Sequence, residues 1–407
     1  MPYYTSAKKR TNYNSGYRKG GRRNHQSNKP RGVKGRGQYI DPAKFVRVAT
    51  PVAQESYTSE HSFADFPVAD LIKKNLAEKG FVSPSPIQDK VIPVVLEGKD
   101  VIGIANTGTG KTAAFAIPLL EAMLSNRQTR TLVVAPTREL AQQIRVECNQ
   151  IIKGGFIKSA LLIGGSNMGY QIKDLKDRPQ LIIGTPGRIK DHIERRTLKL
   201  EGFNKVVLDE VDRMLDMGFI DDMREILAAL APERQSLFFS ATMDRRIEDL
   251  IQTFSNQPVT ISVKTGDTSD NVHQNVIHYT RPHEKIDMLH DALIEEHVTK
   301  VIVFEETQRD VERLSNELAS RGFAVDAIHG GKNQGQRQRA LRKFKESDID
   351  ILVATDVAAR GIDVKDVSHV INYSIPQTYE DYTHRIGRAG RAGNVGYALT
   401  FVSSQNR

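Results

Sequence analysis

Lys205-Val206-Val207-Leu208-Asp209-Glu210-Val211-Asp212 decides the fold of this 407-residue chain. An aliphatic run that ends in three carboxylates reads as a buried parallel strand whose carboxyl end opens on a crevice. Open α/β sheets bind their ligands there. Upstream, Ala105-Asn106-Thr107-Gly108-Thr109-Gly110-Lys111-Thr112 joins another β-branched run to a helical stretch. Its glycines let backbone N–H groups close on phosphate oxygens, Lys111 can reach the outer phosphates, and the Thr112 hydroxyl can ligate Mg²⁺. Asp209 suits the metal side of such a site, through water, because Mg²⁺ keeps much of its hydration. Glu210 can orient or deprotonate an attacking water. An acidic quartet alone would read as a solvated turn, but with a phosphate loop it points to hydrolysis of a nucleoside triphosphate. The loop is a variant, with Ala105 where the general pattern has glycine.

Outward from these stretches, short apolar runs alternate with helical ones, which predicts parallel sheets wrapped by helices. The first series of strands is expected at 100–105, 130–136, 160–164, 180–184, 205–209 and 236–240. A second is expected at 275–280, 300–304, 324–329, 350–355, 369–373 and 396–402. Between the two series Lys264-Thr265-Gly266-Asp267-Thr268-Ser269-Asp270-Asn271 is polar, turn-rich and without periodicity. The organisation implied is a tail over 1–58, a nucleotide-binding α/β domain over 59–263, a linker over 264–271 and a second α/β domain over 272–407. No second Gly-Lys-Thr turn follows the early strand of the second series, where Phe304-Glu305-Glu306-Thr307 stands instead. One nucleotide site per chain follows. The second half can contribute through His384-Arg385-Ile386-Gly387-Arg388-Ala389-Gly390-Arg391, because arginines carried across a domain interface stabilise charge developing on a γ-phosphate. As an isolated feature that loop reads equally well as a basic, RNA-binding surface.

The formal charge of +9 conceals a division. Residues 1–50 hold thirteen Lys or Arg and a single acid, Asp41, so the rest of the chain is slightly acidic. Five tyrosines, Tyr3, Tyr4, Tyr13, Tyr17 and Tyr39, interleave with these cations. Such a segment lacks the apolar surface to fold alone and reads as a disordered, sequence-tolerant RNA-binding arm: cations neutralise phosphates and tyrosines stack on bases. With one cysteine, Cys148, no intramolecular disulfide is possible, and a reducing, cytoplasmic location fits. No apolar run approaches the ~18 residues that cross a bilayer, so a soluble protein without membrane partners is expected.

The quoted residues, with several others from Phe63 to Val402, resemble the DEAD-box family of ATP-dependent RNA helicases, with Asp-Glu-Val-Asp in place of the family's Asp-Glu-Ala-Asp. The resemblance implies two tandem RecA-like domains and the cofactors ATP and Mg²⁺. Phe63, Gly80-Phe81 and Pro84-Ser85-Pro86-Ile87-Gln88 look like the family's adenine-reading motif, with Phe81 stacking on the base and Gln88 bonding its polar edge. Ala105 to Thr112 matches the family's own phosphate loop, which accounts for the missing first glycine. Pro136, Thr137 and Arg138, the pair Gly164-Gly165, and Thr185, Pro186, Gly187 and Arg188 resemble RNA-backbone contacts of the first domain. Gln334, Arg337 and Thr355 resemble those of the second. Hydroxyls, exposed N–H groups and helix N-termini can grip a backbone without reading sequence. Gly361 and Asp363 would approach the ribose and phosphates, and Arg388 and Arg391 would complete catalysis. Asp212, Ser240, Thr242 and His384 would couple hydrolysis to strand separation. Ala389 and Ser374 depart from the family's common Thr and Asp, and the second leaves one interdomain contact open. The resulting expectation is a monomeric, RNA-stimulated ATPase acting on RNA duplexes or ribonucleoproteins. The rivals are a non-catalytic RNA-binding scaffold on the same fold and a different nucleotide enzyme. Asn204-Lys205 is followed by Val206-Val207, so a guanine-reading Asn-Lys-x-Asp loop is missing.

Overall fold

The structure, a computed structural model, describes residues 40–49, 57–106, 108–263, 270–359, 364, 366–390 and 394–404. The basic arm through residue 39, most of the linker, and Thr107, Gly361, Asp363 and Arg391 lie outside the described residues.

Among the described residues the first domain holds seven strands, Val101–Ala105 (β1), Thr131–Val134 (β2), Ser159–Leu162 (β3), Leu181–Gly184 (β4), Lys205–Leu208 (β5), Gln235–Ser240 (β6) and Val259–Val263 (β7). The second holds six, Val272–Tyr279 (β8), Val301–Phe304 (β9), Val325–Ile328 (β10), Ile351–Ala354 (β11), His369–Asn372 (β12) and Gly396–Ser403 (β13). The strands of each sheet pair in parallel, in the orders β3-β4-β2-β5-β6-β1-β7 and β10-β11-β9-β12-β13-β8. Renumbered from its own first strand, the second sheet repeats the winding of the first six strands. The two halves therefore share a topology without sharing sequence.

Alternation along each strand explains why both faces are covered. Val207 and Leu237 join the core on one face of the first sheet, while Val206, Leu208 and Phe238 join the other. In the second, Ile302 and Phe304 oppose Val301 and Val303. Successive strand side chains point to opposite faces, so a run such as Val206-Val207-Leu208 needs helices on both. Gly103 sits at a tight point of the first sheet, where an added Cβ would stand 2.5 Å from the Phe239 ring.

Three expectations change. The strand β7 was not foreseen: it is the half-exposed edge strand, with Ile261 its one buried residue, and an edge needs no continuous apolar run. The unstructured tail predicted through residue 58 gives way at residues 40–49. Pro42–Phe45 form a helical turn capped by Asp41, whose Oδ1 accepts from the Ala43 N–H at 2.9 Å. Phe45 is fully buried in the second domain, and Arg47 makes an antiparallel bridge with Gln274 on the β8 edge. Averaging composition over the tail hid Ile40 and Phe45, which supply the apolar contacts the cation-rich stretch lacks. The counterpart of β1 also proves to be β8, not the strand that ends in Phe304. Thr280-Arg281-Pro282-His283 therefore stands where a second phosphate loop would lie.

Candidate functional site

The phosphate loop runs from Ala105 at the end of β1 to Gly110, which N-caps the helix Lys111–Ser125. Gly108 and Gly110 hold φ of +84° and +92°, a region where an L side chain is strained. A Cβ on Gly110 would also fall on the Gln88 amide. Gln88 donates from Nε2 to the Gly110 carbonyl at 3.1 Å and accepts the Ser85 N–H on Oε1 at 2.9 Å. The Ser85 hydroxyl donates to the Thr109 carbonyl at 2.7 Å. Gln88, expected to bond adenine, thus braces the loop with the same amide. Phe81 stands at the cleft with Phe63 edge-on behind it, ring centroids 5.4 Å apart. Asp89, next along the helix, accepts from the Tyr57 hydroxyl at 2.6 Å and the Glu60 N–H at 2.7 Å, with His61 Nδ1 at 2.7 Å. That trio pins the lead-in to Phe63, and sequence reasoning missed it.

At the end of β5 the acidic residues separate by environment. Asp209 is buried, and its Oδ1 accepts the Glu210 N–H at 3.0 Å. Burial pushes its carboxyl up to about 7; Lys111 opposes the shift while Glu210 and Asp212 add to it. Glu210 N-caps the next helix in the left-handed region, φ 53°, and its Oε2 accepts from Arg213 Nη1 at 2.7 Å. Burial pushes Glu210 up as well, but Arg213, Lys111 and Arg388 outweigh it and hold the carboxyl below its ordinary range. Glu210 is accordingly an anion at neutral pH. The Lys111 ammonium donates to the Ala105 carbonyl at 2.9 Å, folded back against its own loop. A buried carboxyl that shares its cleft with a threonine hydroxyl at a helix start fits a hard, well-hydrated cation.

Asp212 faces away from this centre. Its Oδ2 accepts from the Ala241 N–H at 3.0 Å, the Thr242 N–H at 3.2 Å and the Thr242 hydroxyl at 3.5 Å. The expected partner Ser240 does not take part, since its Oγ is buried with no hydrogen-bond partner among the described residues. The Ala241 N–H, which no side-chain reading could have found, takes its place. His384 lines a small pocket with Arg213, Asp356, Arg385 and Arg388. Arg385 forks onto Asp356 at 2.5 and 2.6 Å and donates to the Ser374 carbonyl at 2.7 Å. Position 374 thus meets Arg385 through its backbone, whatever its side chain.

Phe81, Gln88, Lys111, Thr112, Asp209 and Glu210 of the first domain and Arg388 of the second line one cleft of about 660 Å³. Arg388 is buried, and its Nε donates to the His384 carbonyl at 3.3 Å.

The residues expected on RNA divide. Thr137 caps the helix Arg138–Ile151, accepting the Leu140 N–H on Oγ1 at 3.2 Å, with Pro136 buried beneath. The Arg138 guanidinium lies across Gly164 and Gly165, with Nη2 3.1 Å from where a Cβ on Gly164 would stand. Burial and the nearby Arg337 and Arg188 hold Arg138 below its ordinary pKa. Thr185 and Pro186 open the helix Pro186–Glu194, Gly187 faces open space, and Arg188 donates to the Ser166 carbonyl at 3.2 Å. In the second domain Thr355 is buried at the end of β11. Gln334 lines the nucleotide cleft, its amide atoms buried and without partners among the described residues. Arg337, expected on RNA, forms an interdomain ion pair with Glu139, Nη2 to Oε2 2.8 Å, with both side chains buried. The charges meet without an aligned N–H, so the contact is Coulombic.

No helix among the described residues is long and apolar enough to cross a membrane. The DEAD/DEAH box helicase family matches residues 85–250, and the helicase conserved C-terminal domain matches 284–393. ATP-dependent RNA helicase CshA of Listeria monocytogenes is 46% identical over 341 residues, covering 84% of this chain and 66% of that protein, so the match spans just under two thirds of its length. A DEAD box protein from Methanococcus jannaschii is 40% identical, covering 84% of this chain and 93% of that one, with a TM-score of 0.50. Dbp5 of S. cerevisiae, solved bound to RNA and ADP BeF3, is 29% identical, covers 84% of this chain and 90% of that one, and superposes with a TM-score of 0.74. Two parallel sheets of one winding, a phosphate loop and an acidic strand end in the first domain, and these matches along both domains place the chain in the DEAD-box helicase family.

Proposed function

We propose that the chain is an RNA-stimulated ATPase that locally separates short RNA duplexes or displaces proteins from RNA, acting as a monomer. One observation carries the reading: Lys111, Asp209 and Glu210 share a cleft with an arginine from the other domain, Arg388. The loop N–H groups and Lys111 would bind the triphosphate, and Thr112 and Asp209 would hold Mg²⁺, which supplies neutralisation of phosphate charge when bound. Glu210, ionised and steadied by Arg213, accepts a hydrogen bond from the attacking water and takes its proton. Arg388 brings positive charge from the second domain, with Arg391 as its expected companion; such arginines supply about 10³ to 10⁵ in rate. Arg138 and Arg188, exposed N–H groups and helix starts suit a polyanionic backbone, and RNA fits them. Closure shared by nucleotide and RNA would be the coupling, and residues 1–50 would add sequence-tolerant affinity.

Phosphate release measured with and without single-stranded RNA tests the proposal. RNA-stimulated release in the wild type that is lost in Glu210→Gln, with ATP still bound, is expected. Binding of RNA without any release would favour the scaffold reading, and stimulated turnover persisting in Glu210→Gln would refute the base role. Deletion of residues 1–50 that left RNA affinity and its salt dependence unchanged would refute the arm.

A further inference from the structure

Phe45 precedes the first domain in sequence yet is packed into the second. Its ring lies 4.6 Å, centroid to centroid, from Tyr382 on the helix Tyr379–Ile386, and the Lys44 ammonium sits 5.7 Å from the centre of the Tyr379 ring. The segment is held on its other side at the β8 edge. Arg47 exchanges backbone hydrogen bonds with Gln274 at 3.0 and 2.7 Å, and its guanidinium pairs with Asp270 at 2.7 Å. Gln274 in turn accepts the Tyr382 hydroxyl on Oε1 at 3.0 Å. Residues 44–47 and the edge strand thus converge on one face of one short helix. That helix ends at Gly387, and the next residue is Arg388.

We propose that Phe45 is a positioning residue for Arg388, acting through Tyr382 and the helix Tyr379–Ile386. A helix of eight residues has little stability of its own, so packing sets its orientation. Removing the Phe45 ring takes away the apolar support of Tyr382 on that face and leaves the hydrogen bond to Gln274, and a tilt of the helix displaces the guanidinium at its end. A misplacement of about 1 Å at a reacting centre can lower turnover by about a hundredfold. The site for ATP on the first domain, with Phe81, Gln88 and Lys111, is left as it was. The inference rests on the ATPase reading and adds to it a part of the chain that precedes both domains.

The test uses the full chain, with kcat and the KM for ATP measured separately for Phe45→Ala and for Phe45→Leu, which keeps most of the apolar volume. Phe45→Ala should lower RNA-stimulated kcat by about tenfold, a barrier change of about 1.4 kcal/mol, with KM for ATP nearly unchanged and Phe45→Leu close to wild type. In an Arg388→Ala background the same substitution should cost nothing further. A wild-type kcat in Phe45→Ala, a change confined to KM, or an equal loss in the Arg388→Ala background would overturn the proposal. Should Phe45→Ala fail to fold, an unchanged kcat in Phe45→Asn, checked for folding by circular dichroism, would overturn it as well. Amide hydrogen exchange over Tyr382 to Arg388 is independent of turnover. Faster exchange there in Phe45→Ala is expected, and unchanged protection would overturn the proposal even if the wild type released no phosphate, a result that would sink the ATPase reading by itself.

Discussion

Replacing Arg337 by Ala strands a buried carboxylate. The Glu139 side chain is 3% exposed and the Arg337 side chain 7%, and they meet at 2.8 Å across the two domains. Removing one partner of a buried pair typically costs about 3 to 5 kcal/mol, because the remaining charge is left uncompensated. Within a single domain that cost would appear as lost stability, but here it can be relieved by parting the domains and hydrating Glu139. Arg337→Ala should therefore lower the ratio of closed to open molecules by about 10² to 4 × 10³, at 1.4 kcal/mol per tenfold, while each domain keeps its melting temperature. Fluorophores on cysteines introduced at the exposed residues Asp177 and Asn316 would report the separation. The native Cys148 will not compete for label, since burial pushes its thiol up to about 12. The double substitution Glu139→Gln with Arg337→Met removes both charges and should recover much of the closed population. Arg337→Ala with wild-type transfer efficiency would show that the pair contributes nothing to closure and would refute the reasoning.

Gly110→Ala should lower ATP affinity by at least tenfold in a nucleotide-binding titration, because the residue must keep φ near +92° and its methyl would displace the Gln88 amide. Ser240→Ala should leave stability unchanged or raise it by about 1 kcal/mol in chemical denaturation, since it removes a buried, unpartnered hydroxyl; a loss above 1 kcal/mol would mean that the hydroxyl has a partner. His369 should make the second domain acid-labile. Burial, with His297 beside it, pushes this imidazole down to about 4 from 6.5, so the unfolded chain binds more protons than the native one between those values. Stability then falls as pH drops from 6.5 towards 4, by up to about 3 kcal/mol, and His369→Phe should flatten that part of the denaturation profile; an unchanged slope would exclude His369 as its source.

Local pattern carried most of the strands, the phosphate loop and the presence of two α/β series, because each is written in contiguous residues: Val206-Val207-Leu208 before Asp209, or glycines before Lys111. Pairings across the fold were not legible. Arg213 stands three residues from Glu210, yet nothing in its spacing separates a buried carboxylate partner from a solvated helix charge. Glu139 and Arg337 each belong to a stretch that can be read locally, but their meeting requires the domains to be brought together. The Ala241 N–H has no side-chain signature, and Phe45 was masked by the cations around it. Chemistry that belongs to one loop can be read from sequence, whereas chemistry that depends on which loops become neighbours needs the fold.

The repeated winding of the two sheets has a consequence for how such a chain can change over evolutionary time. Asp209 and Glu210 follow β5, and the helix that leads to Arg388 follows β12, the fifth strand of each copy. The two sheets thus share one winding and contribute opposite charges, anions directly after the fifth strand of the first and a cation beyond the helix that follows the fifth strand of the second. The first copy carries the phosphate loop, so the equivalent turn of the second, Thr280-Arg281-Pro282-His283, is released from that constraint. Drift can accumulate at such a redundant position without disturbing hydrolysis, which makes the loops of the second copy the natural ground for a new specificity to arise.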